Sequence, residues 1–433
     1  MPAHQVDLTT QEQYFLDFFR RSTSFQCAGY FYDEFWQRLV HQASENQPAI
    51  RHAVIGMGSM NYHFVRSRAG PSPYDQTFSL RQINKAIHSL QRNLIEERMD
   101  RLRVETVLVA CVVLVSTLLF QEDTASAGIH LRSGYKLLEQ YLTEHSNKSD
   151  VATTLIRAFA SVHMVWSSFN SNGALTGDQP PIPLLVPPQA DATDEIQRAN
   201  DVVVTLVRIL SYQNDAHATG STELAIDPAY FVGQLLGLKG QLKEYRDTHE
   251  HRLIPRDLNA LTILELWAEL LPVLAMVETG PGPREMQYDN FLQHFQRVLH
   301  LAKLVLDNID TPTFSVNLGV IPPLCLVALK CRDPIVRQEV LSFFRASRRQ
   351  EGIWSTGLAA FIVQRVYEIE SVGSRPGDLI PNTSRIRGMH VDVRPAESRL
   401  FVQYHMVRTC QGDHCRHLDS WEGEWLPYKF GHS

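Results

Sequence analysis

Apolar residues recur at helical spacing along almost the whole chain, and this pattern limits the fold more than any other feature. Tyr32, Phe35, Trp36, Leu39 and Val40, for example, occupy positions i, i+3, i+4, i+7 and i+8, one face of an α-helix. The same spacing returns in three further sets: Ile83, Ile87, Leu90 and Leu94; Leu131, Tyr135, Leu138 and Leu142; and Tyr288, Phe291, Phe295, Val298, Leu299 and Ala302. We therefore predict an all-α fold, a large bundle of many helices.

Signals for helix starts accompany this periodicity. Thr9 with Glu12, or Thr10 with Gln13, has the spacing of a capping box, in which each side chain bonds to the backbone N–H of the other residue. Pro48 suits the first turn of a later helix, because the N–H that proline lacks has no partner there. The sequence thus predicts where two of the helices begin.

Strand patterns are confined to the C-terminal part of the sequence. Alternating apolar residues on both sides of the turn at 394–398 predict a small β-hairpin over about 389–406. Residues 171–192 form a proline-rich strap with five prolines, and a softer break lies at 279–287. Because helical patterns of the same kind resume after both breaks, we expect residues 1–433 to form a single helical domain.

One uncharged run raises the question of a membrane. Thr106 to Phe120 lies between Glu105 and Glu122 and has the length of a buried helix, whereas a bilayer crossing needs about 20 apolar residues. We predict a core helix and no membrane partner. The N-terminus has no basic start followed by an apolar run, so we expect an unsecreted protein of the nucleus or cytoplasm.

The charge distribution disfavours a direct contact with nucleic acid. The formal net charge is −6, and the densest basic patch is Arg345 with Arg348 and Arg349. Proteins that bind the DNA backbone cluster Lys and Arg against its phosphates. We therefore expect no independent nucleic-acid binding.

The segment IPPLCLVALKCRDP, residues 321–334, contains two cysteines six positions apart. We expect the helix that starts at the proline pair to continue to Cys331. Because a helix turns by about 100° per residue, the side chains of Cys325 and Cys331 would then point roughly 120° apart. A structural zinc ion needs four ligands in tetrahedral geometry. Asp333 before Pro334 is a strong helix start, because the carboxylate can cap free N–H groups. We interpret the segment as helix termini and predict no metal there.

The run CQGDHCRH, at 410–417, is a better metal candidate. Its thiols and imidazoles are ligands that zinc prefers, but adjacent His414 and Cys415 cannot both reach one ion without a sharp bend. The two interpretations are a zinc site formed by Cys410, His414, Cys415 and His417, and a solvated polar loop. We favour the loop and predict no bound metal and no cofactor.

Other motifs give weak signals for chemistry. Gly56 and Gly58 imitate the start of a dinucleotide fingerprint, but Asn61 replaces its third glycine and no strand precedes it. Close packing of helices explains both glycines better. His163 is predicted to be a hydrogen-bonded core histidine rather than a base, and the stretch 249–251 an exposed surface. The sequence also lacks a Gly-x-Ser-x-Gly elbow, a His-Glu-x-x-His pair and a phosphate loop.

Aromatic residues are concentrated near the N-terminus. Two interpretations are open: they fill the core, or they line an apolar pocket of the kind that binds small molecules. The residues concerned are Phe15, Phe18, Phe19, Phe25, Tyr30, Phe31, Tyr32, Phe35 and Trp36.

Several stretches together resemble the regulatory region of fungal zinc-binuclear-cluster transcription factors. Residues 14–64 (YFLDFFRRSTSFQCAGYFYDEFWQRLVHQASENQPAIRHAVIGMGSMNYHF) look like its opening, and AGIHLRSGYKLLEQYL (127–142) is similar to its next block. Residues 319–354 (GVIPPLCLVALKCRDPIVRQEVLSFFRASRRQEGIW) match a later block closely, and the hairpin suits its tail. The resemblance extends over roughly residues 11–425.

The resemblance implies a helical regulatory domain that is usually carried C-terminal to a DNA-binding zinc cluster. It also implies a nuclear or nucleocytoplasmic regulator, often of secondary metabolism. That cluster needs six cysteines within about thirty residues, whereas the six here are Cys27, Cys111, Cys325, Cys331, Cys410 and Cys415. The resemblance therefore does not imply that these 433 residues bind DNA.

Three functional hypotheses remain. The first is a transcription regulator or co-regulator that acts through other transcription factors, co-regulators or a small effector. The second is an enzyme on the same helical shell, a cyclase, isomerase or hydrolase that works by positioning its substrate. No residue in the sequence stands out as catalytic. The third is a fragment of a longer protein whose zinc cluster lies upstream.

Overall fold

The computed structural model describes residues 8–66, 73–95, 100–144, 150–170, 195–219, 228–279, 282–306, 312–317, 319–373, 375, 379–408 and 418–428. Helices dominate these residues, which confirms the predicted fold class. In chain order they are α1 (Thr10–Phe18), α2 (Ser24–Ala28), α3 (Val40–Asn46), α4 (Pro48–Arg66), α5 (Pro73–Ile95), α6 (Arg101–Phe120), α7 (Thr124–Glu144), α8 (Asp150–Asn170), α9 (Glu195–Thr219), α10 (Pro228–His249), α11 (Pro255–Thr279), α12 (Arg284–Gln287), α13 (Leu292–Leu306), α14 (Ile321–Lys330), α15 (Pro334–Ala346) and α16 (Thr356–Glu370).

Two small three-stranded sheets complete the described part of the chain. Strand β2 (Arg349–Glu351) pairs in parallel with β1 (Thr313–Ser315) and antiparallel with β3 (Trp354–Ser355). The second sheet is antiparallel throughout, in the order β4 (Gly388–Arg394), β5 (Arg399–Arg408) and β6 (Leu418–Pro427). The predicted hairpin is therefore confirmed as β4 and β5. Strand β6 and the whole of the first sheet were not predicted from the sequence.

Three helices begin at the residues whose capping signals were predicted from the sequence. The Thr9 hydroxyl accepts from Glu12 N at 3.2 Å, and the Glu12 carboxylate accepts from Thr9 N at 3.0 Å, so Thr9 rather than Thr10 forms the capping box. Pro48 begins α4 as predicted. Asp333 caps α15 by accepting from Val336 N at 2.9 Å.

The longest apolar helices lie largely in the core. In the most apolar 18-residue stretch of α6, 67% of the residues are buried. In the corresponding stretch of Pro255–Val277, which belongs to α11, 83% are buried. Both have the length and composition of a membrane-spanning helix, but most of their apolar surface packs against other parts of the protein. The prediction that Thr106 to Phe120 forms a core helix is confirmed.

Helix α4 packs closely against α1 and α5 at its two glycines. A Cβ at Gly58 would lie 2.5 Å from the Phe15 carbonyl oxygen, and one at Gly56 would lie 3.1 Å from the Ser79 carbonyl oxygen. A side chain at Gly58 would force the helix backbones apart, since real Cβ atoms do not approach this closely. These glycines therefore serve helix packing, as predicted.

The predicted breaks have different outcomes. The predicted break at 279–287 contains the boundary between α11 and α12, where Gly282 has a positive φ of 87°, but residues 284–287 are helical and form α12. The strap at 171–192 and the metal candidate at 410–417 lie outside the described residues. The buried apolar side chains form one cluster that extends from Phe15 to Tyr428.

Candidate functional site

Two loops that are distant in the sequence meet beside α2. Gly29, which follows α2 with φ 65°, lies against Ser315 and Asn317, whose Cβ atoms would be 3.6 and 3.8 Å from a Cβ at this glycine. Val316 N donates to the Cys27 carbonyl at 3.1 Å. The C-terminal end of α2 and Gly29 are thereby fixed to the loop after β1.

Asp33 organises the first of these loops. Its Oδ1 accepts from the backbone N–H groups of Phe35 at 3.0 Å and Trp36 at 3.3 Å, so the carboxylate caps the π-helical turn Phe35–Leu39. Its Oδ2 accepts from Asn317 Nδ2 at 3.4 Å. As a residue Asp33 is half-buried, but its carboxylate lies inward among these donors.

Two arginines from other helices face the same loop. Arg256, in the first turn of α11, donates to the carbonyl oxygens of Tyr30, at 3.2 Å, and Phe31. Arg157 of α8 donates to Asp201 Oδ2 at 2.6 Å, while its buried Nε has no hydrogen-bond partner. We name Asp33, Arg157, Arg256 and Asn317 the Asp33 cluster.

The electrostatics of the Asp33 cluster combine burial with two guanidinium groups, of which Arg157 is already paired with Asp201. Burial is the largest influence and raises the pKa of Asp33 to about 6, although the N–H donors and the charges of Arg157 and Arg256 lower it. Burial, with a smaller contribution from Asp33, also raises the pKa of the neighbouring Cys27 thiol well above its usual value. Cys27 is therefore a poor nucleophile, and the cluster is better suited to binding a polar or anionic group than to covalent catalysis.

A second buried carboxylate lies at the start of α14. Glu351 accepts from Val320 N at 3.1 Å and from Ile321 N at 2.7 Å, and it pairs with Arg349 at 2.6 Å. A Cβ at Gly319 would lie 2.1 Å from the Glu351 carboxyl carbon, so only glycine leaves room for the carboxylate. Arg349 is thus an interior residue and does not form a surface patch with Arg345 and Arg348.

The Arg-Asp-Pro segment carries a buried network of charges. Arg332 pairs with Glu285 at 2.8 Å and with Glu370 at 2.9 Å, and Arg337 pairs with Glu370 at 2.6 Å. Lys330 pairs with Glu285 at 2.6 Å. Burial alone would raise the pKa of Glu285, but the charges of Lys330 and Arg332 outweigh burial and lower it.

This network also connects the helices to the C-terminal sheet. Glu370 accepts from Ile386 N at 2.9 Å, two residues before β4 begins. Arg385 binds Asp289 through two hydrogen bonds of 2.8 and 2.7 Å. The segment is therefore a structural junction between α12, α14, α15, α16 and the start of the sheet.

Cys325 and Cys331, the two cysteines of residues 321–334, are buried thiols. Helix α14 ends at Lys330, so the prediction that it continues to Cys331 was wrong; Cys331 follows the helix in an extended conformation. Both thiols are shielded from solvent. Burial raises the pKa of Cys325 far above its usual value and that of Cys331 to about 11, which disfavours reaction at either sulfur.

His163 is a core residue, but the prediction that it is hydrogen-bonded was wrong. Neither ring nitrogen has a hydrogen-bond partner, and the ring contacts those of Tyr135 and Trp166 at centroid distances of 5.7 and 5.9 Å. Burial, together with the charge of Arg208, lowers the pKa of His163 to about 3. The imidazole is therefore neutral at physiological pH.

The other histidine and metal predictions have separate outcomes. His251 is exposed, whereas His249 is half-buried and stacks on Tyr245 at a centroid distance of 4.5 Å. Among the described residues, no group of three or more His, Cys, Asp or Glu has the arrangement of a metal site. The zinc interpretation of 410–417 falls outside that region and stays untested.

Most of the aromatic residues near the N-terminus belong to the core. Phe35 and Trp36, at 1% and 2% exposure, meet edge to face at a centroid distance of 5.0 Å. Tyr32 was wrongly predicted to share their buried face, because the turn capped by Asp33 begins only after it and leaves Tyr32 57% exposed. Phe25 is also exposed, at 52%.

Glu122 is the carboxylate with the most unusual surroundings. It follows α6 in the left-handed conformation, with φ 60°, where helices usually place glycine. The carboxylate is buried, and neither oxygen has a hydrogen-bond partner. Burial raises the pKa of Glu122 to about 7, and the Ser355 hydroxyl, which lies near the carboxylate but outside hydrogen-bonding geometry, offsets only part of this increase. Sequence spacing gives no signal for this group.

A family model described as the fungal specific transcription factor domain matches residues 13–370. The match ends with α16, so the sheet of β4, β5 and β6 lies C-terminal to it. No curated protein and no solved structure matches the chain. Because the matched residues are most of the sequence, the chain belongs to the family of fungal specific transcription factor domains.

Proposed function

We propose that the chain is a regulator or co-regulator of transcription, acting through protein partners or a small effector rather than through its own contact with DNA. Membership of the transcription-factor family is the observation that carries this proposal. The spread of the six cysteines, from Cys27 to Cys415, and the net charge of −6 support the absence of DNA contact within these 433 residues. From the sequence resemblance we further propose a role in fungal secondary metabolism and a nuclear location.

The Asp33 cluster is the proposed effector site. It places two guanidinium groups near the Asp33 carboxylate, and Arg157, which pairs with Asp201, has a buried Nε without a hydrogen-bond partner. A ligand with a carboxylate or a similar anionic group would satisfy that donor, since guanidinium groups bind such groups through charge-assisted hydrogen bonds. The proposed effector is therefore a small polar metabolite that presents an acceptor oxygen to this donor.

The test of partner-dependent regulation uses purified protein and promoter DNA. Alone, the chain is expected to leave the fluorescence anisotropy of a labelled promoter fragment unchanged. Added to a zinc-cluster transcription factor already bound to that fragment, it is expected to raise the anisotropy further. Tight binding of the chain alone, with a strong dependence on salt, would contradict the proposal.

An enzyme on the same shell is the second candidate, and Glu122 is the observation that favours it. A buried carboxyl group with a pKa of about 7 can donate or accept a proton near neutral pH. This function predicts turnover of a biosynthetic intermediate by the purified chain and its loss in Glu122→Gln. Turnover that persists in this variant would exclude Glu122 as the acid or base.

A further inference from the structure

One face of the first sheet collects three buried polar atoms. Thr313 and Arg349 are paired residues of the parallel strands β1 and β2, so their side chains leave the sheet on the same side. The guanidinium carbon of Arg349 lies 5.1 Å from the centre of the Tyr30 ring, which therefore covers the same face. The Tyr30 hydroxyl, Thr313 Oγ1 and Arg349 Nη1 are buried and have no hydrogen-bond partner in the described part of the chain. We name these three residues the Tyr30 site.

The backbone around Tyr30 fixes the position of this site. Gly29, the preceding residue, lies against the same strand, since a Cβ at this glycine would be 3.6 Å from the Cβ of Ser315. The Tyr30 carbonyl oxygen accepts from Arg256 at 3.2 Å, which connects the site to the Asp33 cluster. Tyr30 and Thr313 are half-buried as residues, so the site lies just below the surface. Tyr30 belongs to a turn, and its side chain can therefore move for an entering ligand without breaking a helix or a strand.

The three unpaired atoms indicate a position for a bound acceptor oxygen. Most buried polar atoms of side chains have a hydrogen-bond partner, and an unpaired one lowers stability. Arg349 Nη1 is a donor, and the hydroxyl of Thr313 can donate as well. Burial is the largest influence on the pKa of Tyr30 and raises it; the charge of Glu351 adds to this effect and that of Arg349 opposes it. Tyr30 therefore keeps its proton at neutral pH and is the third donor.

The charges at the Tyr30 site favour an uncharged ligand. Arg349 already pairs with Glu351 at 2.6 Å, and Glu351 accepts from two backbone N–H groups at the start of α14. A ligand carboxylate would bring a second negative charge close to Glu351, whereas a carbonyl oxygen accepts from two donors without adding charge. We propose that the Tyr30 site binds the carbonyl oxygen of a small uncharged metabolite such as a ketone, an ester or a lactone. This inference rests on the proposed small effector and specifies its chemical class.

Saturation-transfer NMR of the full chain with γ-butyrolactone tests this proposal. Tetrahydrofuran is the same ring without the carbonyl group, and butyrate carries a carboxylate on a chain of the same length. We expect saturable binding of the lactone with a dissociation constant on the order of millimolar, because the probe has only six non-hydrogen atoms. Tetrahydrofuran and butyrate are expected to bind at least about fivefold more weakly, because each lacks an uncharged carbonyl oxygen.

Variants that delete single hydroxyls locate the bound lactone. Tyr30→Phe and Thr313→Val are each expected to weaken its binding about fivefold, the effect of one lost hydrogen bond, and the double variant is expected to weaken it further. Without ligand, both single variants are expected to melt at or above the wild-type temperature, because neither deleted hydroxyl has a partner. Tyr32→Phe is the matched control, since Tyr32 lies two positions further along the chain and is 57% exposed.

Four outcomes would overturn the proposal. The first is the absence of saturable binding of the lactone, and the second is equally tight binding of tetrahydrofuran or butyrate. The third is equal binding of the lactone by wild type and the double variant, which would leave only a water molecule for the site. The fourth is a melting temperature of ligand-free Tyr30→Phe well below that of wild type, which would show that the hydroxyl already has a partner. Because the assay contains no DNA and no transcription factor, its failure leaves the proposal of a transcriptional regulator standing.

Discussion

Removing the Glu370 carboxylate tests the buried junction most sharply. Glu370 is fully buried and accepts from Arg332 at 2.9 Å, from Arg337 at 2.6 Å and from Ile386 N at 2.9 Å. Glu370→Ala leaves two buried guanidinium groups without this acceptor, and breaking such a pair costs about 3–5 kcal/mol. We therefore expect the free energy of unfolding to fall by about 4 kcal/mol.

The loss translates into a measurable shift in melting temperature. Unfolding entropy of about 2.1 cal/mol/K per residue gives about 0.9 kcal/mol/K for 433 residues, so a 4 kcal/mol loss lowers the melting temperature by about 4–5 °C. Circular dichroism at 222 nm measures this shift. Glu370→Gln keeps an acceptor for Ile386 N and is expected to fall between wild type and Glu370→Ala.

Glu339→Ala is the matched control for this experiment. Glu339 pairs with Lys303 at 2.6 Å, but both side chains are nearly half exposed. Exposed pairs contribute under about 1 kcal/mol, so the control is expected to melt within about 1 °C of wild type. If Glu370→Ala also melts within about 1 °C of wild type, the stabilising role assigned to the junction is refuted.

Three further predictions concern other buried groups. Gly319→Ala is expected to lose about 1–3 kcal/mol of stability, because its Cβ displaces the Glu351 carboxylate from the start of α14; equal chemical-denaturation midpoints would contradict this. Because folding raises the pKa of Glu122 from 4.5 to about 7, the stability that comes from its protonation is complete below about pH 4.5 and is lost as the pH rises through 7. Between pH 4.5 and 8, the free energy of unfolding of the wild type should thus fall by up to about 3 kcal/mol relative to that of Glu122→Gln. A difference in melting temperature between the two proteins that stays constant across that range would refute the raised pKa of Glu122. Cys325 should resist iodoacetamide until the protein unfolds, as measured by mass spectrometry of its peptide, and rapid labelling of native protein would contradict its burial.

The features that the sequence predicted correctly act over a few residues. The capping box at Thr9, the start of α4 at Pro48 and the cap of α15 at Asp333 each depend on groups within one helical turn. The hairpin of β4 and β5 was predictable because its alternation extends over several residues on each strand. These signals do not depend on contacts with distant parts of the chain.

The missed elements are short or depend on distant partners. Strands β1 and β3 have three and two residues, too few to show a period of two. Strand β6 carries its aromatic residues on the outer face, so its pattern differs from that of a strand with an apolar face towards the core. Tyr32 was misplaced because the Asp33 cap delays the start of the next turn.

The candidate site could not be predicted from sequence spacing. Asp33 and Asn317 are 284 positions apart, and Arg256 reaches a carbonyl 225 positions away. Glu122 gives no signal either, because its raised pKa comes from the packing of residues that are distant in sequence. Family resemblance identified the segment that contains Asp33 but not its contacts, and Glu122, Arg256 and Asn317 lie outside the segments that carry the resemblance.

Transcript profiling of a deletion strain tests the central claim most directly. If the chain regulates transcription, deletion removes a defined set of transcripts, and re-expression of the full chain restores them. Unchanged transcripts together with the accumulation of one biosynthetic intermediate would contradict the regulatory account and indicate an enzyme.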